Sequence, residues 1–193
     1  HGNAMRRLQN KKVYEVLTSN PTMGDGYSLF SSSHASGDNT SGAAAAPSVT
    51  TLNAAFVKMM TQKGLTTDAI ISVVPRFLIV PVAYSATALE LVNSTSYVLA
   101  NSNQGVKNIY GVNAERPLTV VVDPQLDANS ATNWYLAADT AQIDTVELTF
   151  LSGEESPVLE SEWNMKNDTY LYKIRQTFGV KAIDWRGLFR NSA

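Results

Sequence analysis

Two helices are predicted from the spacing of apolar positions along the chain. Four apolar residues recur at spacings of three and four, which is the period of one helical face: Val49, Leu52, Phe56 and Met59. Ser48 precedes them as a suitable N-cap and Gly64 comes after them as a suitable C-cap, so this helix is predicted over 49–63. A second, shorter helix is predicted at about 84–93.

Strands are predicted where β-branched and alternating residues accumulate. They number six to eight, and the clearest lie within 69–81, 118–122, 134–138 and 146–151. The longest candidate runs from Tyr170 to Phe178, with aromatic and aliphatic residues at most even positions and charged residues at odd ones. We expect the aromatic face to pack on the helix at 49–63, and Lys173 and Arg175 to stay hydrated.

The first 46 residues are less regular. Residues 4–19 suggest a short helix or a passage from helix to strand. One interpretation of the region around residues 13–32 is a long hairpin, in which the VYEVL segment pairs with YSLFS across an Asn-Pro and Gly-Asp-Gly turn. Residues 20–46 are then expected to be mobile and to contact little of their own chain. The whole pattern indicates the α+β class.

Composition excludes several functional classes. The 193 residues suit one domain or two small lobes, and the net charge of −2 gives no basic surface typical of nucleic-acid binding. Charged residues make up only 17%, while Ser, Thr and Asn make up about a quarter, which suits a surface that packs against others. With no cysteine and two histidines, we expect no metal and no cofactor, and no apolar run is long enough to span a membrane.

Two groups of residues could form an active site, but both are better explained as structural features. Ser33 and His34 form a Ser–His pair, but they are sequence neighbours in an irregular segment without a GxSxG motif. We therefore expect His34→Ala to leave folding unchanged. Four glutamates surround Pro157, namely Glu154, Glu155, Glu160 and Glu162, with a spacing that matches no calcium loop. An acidic surface or subunit contact is the simpler interpretation, and no catalytic residue is predicted.

The order of five segments resembles tailed-phage major capsid proteins, most closely the Mu-like and prophage branch. The segments are NPTMGDGYSLFSSSH, PSVTTLNAAFVKMM, PRFLIVPVAYSATALELV, VELTFLSGEESPVLESEW and YKIRQTFGVKAIDWRGLF. The most telling are the PRFLIVP strand that leads into a helix and the closing segment. The resemblance covers most of the chain from about 11 to 190.

The resemblance implies the Hong Kong 97 fold. In that fold a peripheral domain carries a spine helix and an extended E-loop hairpin, and an axial domain lies near the symmetry axes. Residues 11–74 and 161–193 would form the E-loop, spine helix and peripheral domain, and 75–160 the axial domain. Within the first range, 11–33 would be the E-loop region and 48–63 the spine helix. The usual N-terminal arm and protease region have no counterpart in the sequence, so we expect a C-terminal fragment or a mature form that does not build closed shells alone.

The function implied is structural. The chain would assemble with copies of itself into pentamers and hexamers of an icosahedral head, which encloses DNA without reading its sequence. A scaffold, a maturation protease and a portal are further implied partners, and no membrane is involved. The protein would be located in the virion, after assembly in the cytoplasm of the bacterial host. Two alternatives stay open: a hydrolase using Ser33/His34 or Glu154/Glu160, and another phage structural component such as a tail protein.

Overall fold

The computed structural model describes residues 2–35, 37–41, 45–64, 69–98, 105–111 and 114–192. Three α-helices lie in these ranges, α1 (Gly2–Ser19), α2 (Val49–Met60) and α3 (Ser85–Asn93), with a 3-10 turn at Val82–Tyr84 before α3. The first six strands are β1 (Thr40–Ser41), β2 (Pro75–Val80), β3 (Ser96–Val98), β4 (Gly105–Lys107), β5 (Thr119–Val122) and β6 (Trp134–Ala138). The others are β7 (Val146–Phe150), β8 (Val158–Asn164), β9 (Thr169–Arg175), β10 (Phe178–Ala182) and β11 (Leu188–Asn191).

A five-stranded mixed sheet forms the centre of the molecule, in the order β1-β11-β6-β2-β5. β6 lies antiparallel to both β11 and β2, whereas β1 runs parallel to β11 and β5 runs parallel to β2. The strands β3–β4, β7–β10 and β8–β9 pair outside it as three antiparallel ribbons. This arrangement agrees with the α+β class.

Both faces of the central sheet are covered. Along β6, Trp134 and Leu136 point to a core cluster that contains α2 and α3, and Tyr135 points to a second cluster on the other face. The second cluster contains Leu17 of α1 and the aromatic ring of Trp185. Because side chains alternate along a strand, a strand buried on both faces has five consecutive buried residues, as β6 does.

The predicted helix at 49–63 is present but shorter, as α2. Ser48 and Thr51 form a reciprocal capping box at its start, in which the Ser48 hydroxyl accepts from the Thr51 N–H. It ends at Met60, before the predicted Gly64, and the chain that follows pairs with residues 69–71, where the Gly64 N–H donates to the Ala69 carbonyl and Lys63 forms a β-bridge with Ile70. Its apolar stripe packs on the central sheet.

The hairpin predicted from VYEVL and YSLFS is wrong. Residues 13–17 are the last turns of α1, and Leu29 and Phe30 lie buried against Leu17 in the second core cluster. The expectation that 20–46 contacts little of its own chain is wrong for its described residues, since Asn39 is also fully buried. The segment therefore covers one face of the central sheet rather than projecting from it.

The single strand predicted from Tyr170 to Phe178 is also wrong. The chain leaves the strand conformation at 176–177, where the Gln176 side chain accepts from Gln9 of α1 and donates to the Glu155 carbonyl. β9 then pairs with β8 and β10 with β7. The aromatic face of β9 is consequently exposed and does not cover α2, which corrects the predicted face assignment.

Helix α1 is attached to the rest of the fold through Asp123. The Asn10 side-chain amide donates to its carboxylate at 2.7 Å. Burial raises the pKa of the Tyr14 hydroxyl to about 12, and the charge of Asp123 and a hydrogen bond to it add to the rise. The folded chain therefore favours protonated Tyr14.

This attachment predicts a loss of stability at alkaline pH. The ordinary pKa of a tyrosine is 10.0, so the contribution of Tyr14 is complete below that value and is lost as the pH rises through about 12. We expect Tyr14→Phe to make the loss of unfolding free energy over this range smaller by about 1–2 kcal/mol, as urea unfolding at several pH values would show. Tyr170→Phe, on an exposed strand, should behave like the parent chain, and an identical alkaline loss in Tyr14→Phe would contradict the assignment.

Candidate functional site

The predicted Ser33/His34 pair is not assembled as a nucleophile and base. His34 is only 6% exposed, and its Nδ1 lies 2.7 Å from Asp25 Oδ2. Ser33 is exposed, and its backbone N–H donates to the Ser31 hydroxyl. Nε2 of His34 is buried and has no hydrogen-bond partner within the described ranges, so no serine hydroxyl of those ranges reaches the position that hydrolysis requires.

His34 instead has a structural setting. Its ring stacks on Trp185 with 3.9 Å between ring centroids and 5° between planes. Partial burial raises the pKa of the Asp25 carboxyl, but hydrogen bonds from His34 and the Tyr27 N–H outweigh it, so that this pKa lies below its usual range. The stack of His34 on Trp185 therefore joins the segment after α1 to the segment that precedes β11.

The expectation that His34→Ala leaves folding unchanged is replaced by its opposite. The substitution removes the stack on Trp185 and leaves Asp25 without its side-chain donor, so we expect the free energy of unfolding to fall by about 1–3 kcal/mol. Ser33→Ala, one residue away and exposed, should change it by less than about 0.5 kcal/mol. Thermal or urea unfolding checks both, and equal stabilities for the two variants would refute the role of His34.

The acidic cluster is brought together only in part. Arg175 lies between two of the glutamates, with its Nη2 3.9 Å from Glu154 Oε1 and 3.7 Å from Glu160 Oε1. Lys173 adds a contact of 3.3 Å to Glu160. Glu162 lies further along β8, opposite Leu171. These charges form a surface ion-pair network, and no group of three His, Cys, Asp or Glu side chains in the described ranges could hold a metal ion.

Among the described residues, the β8–β9 ribbon presents the largest run of exposed apolar side chains. Directly opposed residues share a face, so one face of the ribbon carries Leu159, Ser161, Trp163, Tyr170, Tyr172 and Ile174. We call this set the aromatic face. Trp163 is 46% exposed and touches Tyr170 edge-on, and Tyr170 stacks on Tyr172. The sequence indicated which residues share this face, but it did not indicate that its aromatic side chains are about half exposed to solvent.

The turn at the tip of the ribbon is also exposed. Met165 begins the turn and is 87% exposed, and Asp168 ends it with a positive φ of 52°. A two-stranded ribbon without a covering layer is marginally stable in water by itself. Several large apolar side chains exposed side by side are typical of a surface that binds another molecule.

Helix α1 supplies a second surface, of opposite character. It holds four basic residues and one acidic residue, a net +3 in a chain of net −2, so the remainder carries −5. Lys12 is paired with Glu15 at 2.8 Å. Arg6, Arg7 and Lys11 are exposed and form no ion pair with another described residue. We call Arg7, Leu8 and Lys11, which lie on one side of the helix because Lys11 follows Arg7 by four residues and Leu8 by three, the basic face of α1.

Comparison with known proteins gives one family. A family model described as "Phage capsid protein" matches residues 1–191. No curated protein matches the chain. Among the helices that the structure describes, none is both long and apolar enough to cross a bilayer.

Proposed function

This chain belongs to the phage capsid protein family, and from that premise we propose that it is the major subunit of a tailed-phage head. Phage capsid proteins are structural proteins of the virion, and they assemble with copies of themselves. We propose that this chain forms pentamers and hexamers, and that these close into an icosahedral shell around the genome. The single observation that carries the proposal is the family match over almost the whole chain.

The exposed surfaces support an assembling protein. The aromatic face leaves large apolar side chains in contact with water in the single chain, at an energetic cost that a neighbouring subunit would remove. The low charge density of the chain keeps the mutual repulsion of many identical copies small. The described residues bring together no catalytic constellation that would favour the hydrolase alternative.

The finer architecture is proposed on the resemblance. We propose the Hong Kong 97 fold in its Mu-like or prophage form, with the axial domain at 75–160 and the peripheral domain, spine helix and E-loop at 11–74 and 161–193. In the central sheet, β2, β5 and β6 belong to the proposed axial domain, and β1 and β11 belong to the proposed peripheral domain. The two domains would therefore share one core. A scaffold, a protease and a portal are proposed partners during assembly in the host cytoplasm.

Sedimentation velocity and negative-stain electron microscopy of the chain test the proposal. With increasing protein concentration we expect ring-shaped oligomers of five or six copies, in rapid exchange with monomer. Closed shells are not expected from this chain without the rest of the assembly machinery. A strictly monomeric protein at every concentration, without rings, would contradict the proposed role.

A further inference from the structure

We propose that the aromatic face of the β8–β9 ribbon of one subunit docks on the basic face of α1 of a neighbouring copy. The inference rests on the proposed function, which supplies the second copy, and adds which two surfaces meet. The two faces differ within one chain, so the contact is head-to-tail. A head-to-tail contact that repeats by a fixed rotation closes into a ring.

Charge favours a second copy of the chain as the partner of α1. The cations Arg6, Arg7 and Lys11 lie on an element of net +3 attached to a remainder of net −5, so a second copy is attracted to α1 at long range. At the tip of the ribbon Asp168 is exposed, and its two carboxylate oxygens form no ion pair with another described residue. They can therefore accept hydrogen bonds from the cations of a neighbour.

The chemistry of the two faces is also matched. Guanidinium groups pack over aromatic rings, with tryptophan the most favourable, and the aliphatic stems of Arg and Lys cover apolar surface. This chain already uses the contact twice internally: Arg116 lies 5.3 Å from the centre of the Phe56 ring, and Arg190 lies 5.1 Å from that of Phe30. Leu8, exposed among the cations of α1, adds an apolar surface for Trp163.

The size of the ribbon sets the strength of each contact. Two seven-residue strands present a face of roughly 200–250 Å² at 3.3 Å per residue and 4.8 Å between strands. A stable pairwise interface buries about 800 Å² per partner. One such contact alone is therefore weak, and it becomes effective when closure of a ring makes every subunit hold two neighbours.

Site-specific disulfide trapping tests the pairing, because the chain contains no cysteine and each substitution introduces a single thiol. Leu8→Cys and Met165→Cys chains, one with a mass tag, are mixed and oxidised at concentrations at which rings form. We expect the yield of the mixed Leu8→Cys/Met165→Cys dimer to exceed the yield of either homodimer by about fivefold or more. It should exceed by the same factor the yield of mixed dimer in a control that combines Val57→Cys with Met165→Cys. Val57 is exposed on α2, away from the proposed contact.

Two further variants test the chemistry of the contact. In the same assay Trp163→Ala and Arg7→Glu should each lower the yield of mixed dimer by about fivefold. Arg76→Glu, which makes the same charge change on exposed Arg76 of β2, should lower it by less than about twofold. Circular dichroism should show unchanged secondary structure in all three, because the substituted side chains are exposed.

The outcomes separate this inference from the function on which it rests. Rings in electron micrographs without the mixed dimer would overturn the pairing and leave the proposed function standing. A dominant Met165→Cys homodimer would also overturn it, because it would indicate ribbon-to-ribbon contact. Equal losses in Arg7→Glu and Arg76→Glu would show that the effect comes from net charge and would overturn the specific contact. No association in any variant would contradict the proposed function itself.

Discussion

Replacing Phe56 with alanine should lower the free energy of unfolding by about 3–5 kcal/mol. The Phe56 side chain is fully buried in α2, its ring centre lies 5.2 Å from that of Tyr110, and the Arg116 guanidinium lies 5.3 Å from the ring centre. Truncation leaves a cavity between α2 and the central sheet. Since domains are stable by only about 5–15 kcal/mol, this loss is a large share of the total.

A matched control lies on β7. Phe150 is 37% exposed, and its truncation to alanine should cost less than about 1.5 kcal/mol because less area leaves contact with protein. Urea unfolding monitored by circular dichroism measures both variants. If Phe150→Ala were as damaging as Phe56→Ala, the placement of α2 at the centre of the core would be incorrect.

The second large effect is expected at Asn39. This side chain is fully buried and makes three hydrogen bonds: its Oδ1 accepts from the Ser31 N–H at 2.9 Å, and its Nδ2 donates to the carbonyls of Leu29 and Trp185 at 2.7 and 3.2 Å. Asn39→Ala would leave the Ser31 N–H and the Leu29 carbonyl without these partners, whereas the Trp185 carbonyl would keep the Leu188 N–H. We expect the free energy of unfolding to fall by about 2–4 kcal/mol.

Two substitutions isolate the role of these hydrogen bonds. Asn39→Asp keeps the shape and the acceptor but replaces the donor by a charge facing two carbonyl oxygens, so at neutral pH it should destabilise at least as much as alanine. Asn129→Ala, at an exposed turn, should have little effect, within about 0.5 kcal/mol. If Asn39→Ala left the free energy of unfolding unchanged, the three hydrogen bonds would be no better than those that the same groups make with water.

The elements with strong local patterns were predictable from the sequence. β6 lies at the predicted residues 134–138, and α3 lies within a residue of the predicted 84–93, because their apolar spacing leaves no competing interpretation. The order of five segments also indicated the capsid family, which the family comparison confirms. Order along the chain therefore carried more information about function than any single motif did.

The errors have a common physical cause. The VYEVL segment alternates like a strand, and it is a helix because α1 packs on β7 and β10, which are far away in sequence. His34 lies among serines and glycines, and its burial depends on Trp185, which is distant in the chain. Alternation along β9 correctly predicted a shared aromatic face, but alternation cannot identify what covers a face. Our proposal places that cover on another subunit.

The position of β11 inside the central sheet has a consequence for biosynthesis. This strand lies between β1 and β6, although it is the latest of the described strands to leave the ribosome. At a translation rate of roughly 5–20 residues per second, the edge of β6 that later pairs with β11 stays unpaired for about 3–10 seconds. Completion of the sheet, and with it the anchoring of Asn39, comes in one late step. A nascent subunit therefore has a complete central sheet only after its synthesis has passed residue 191.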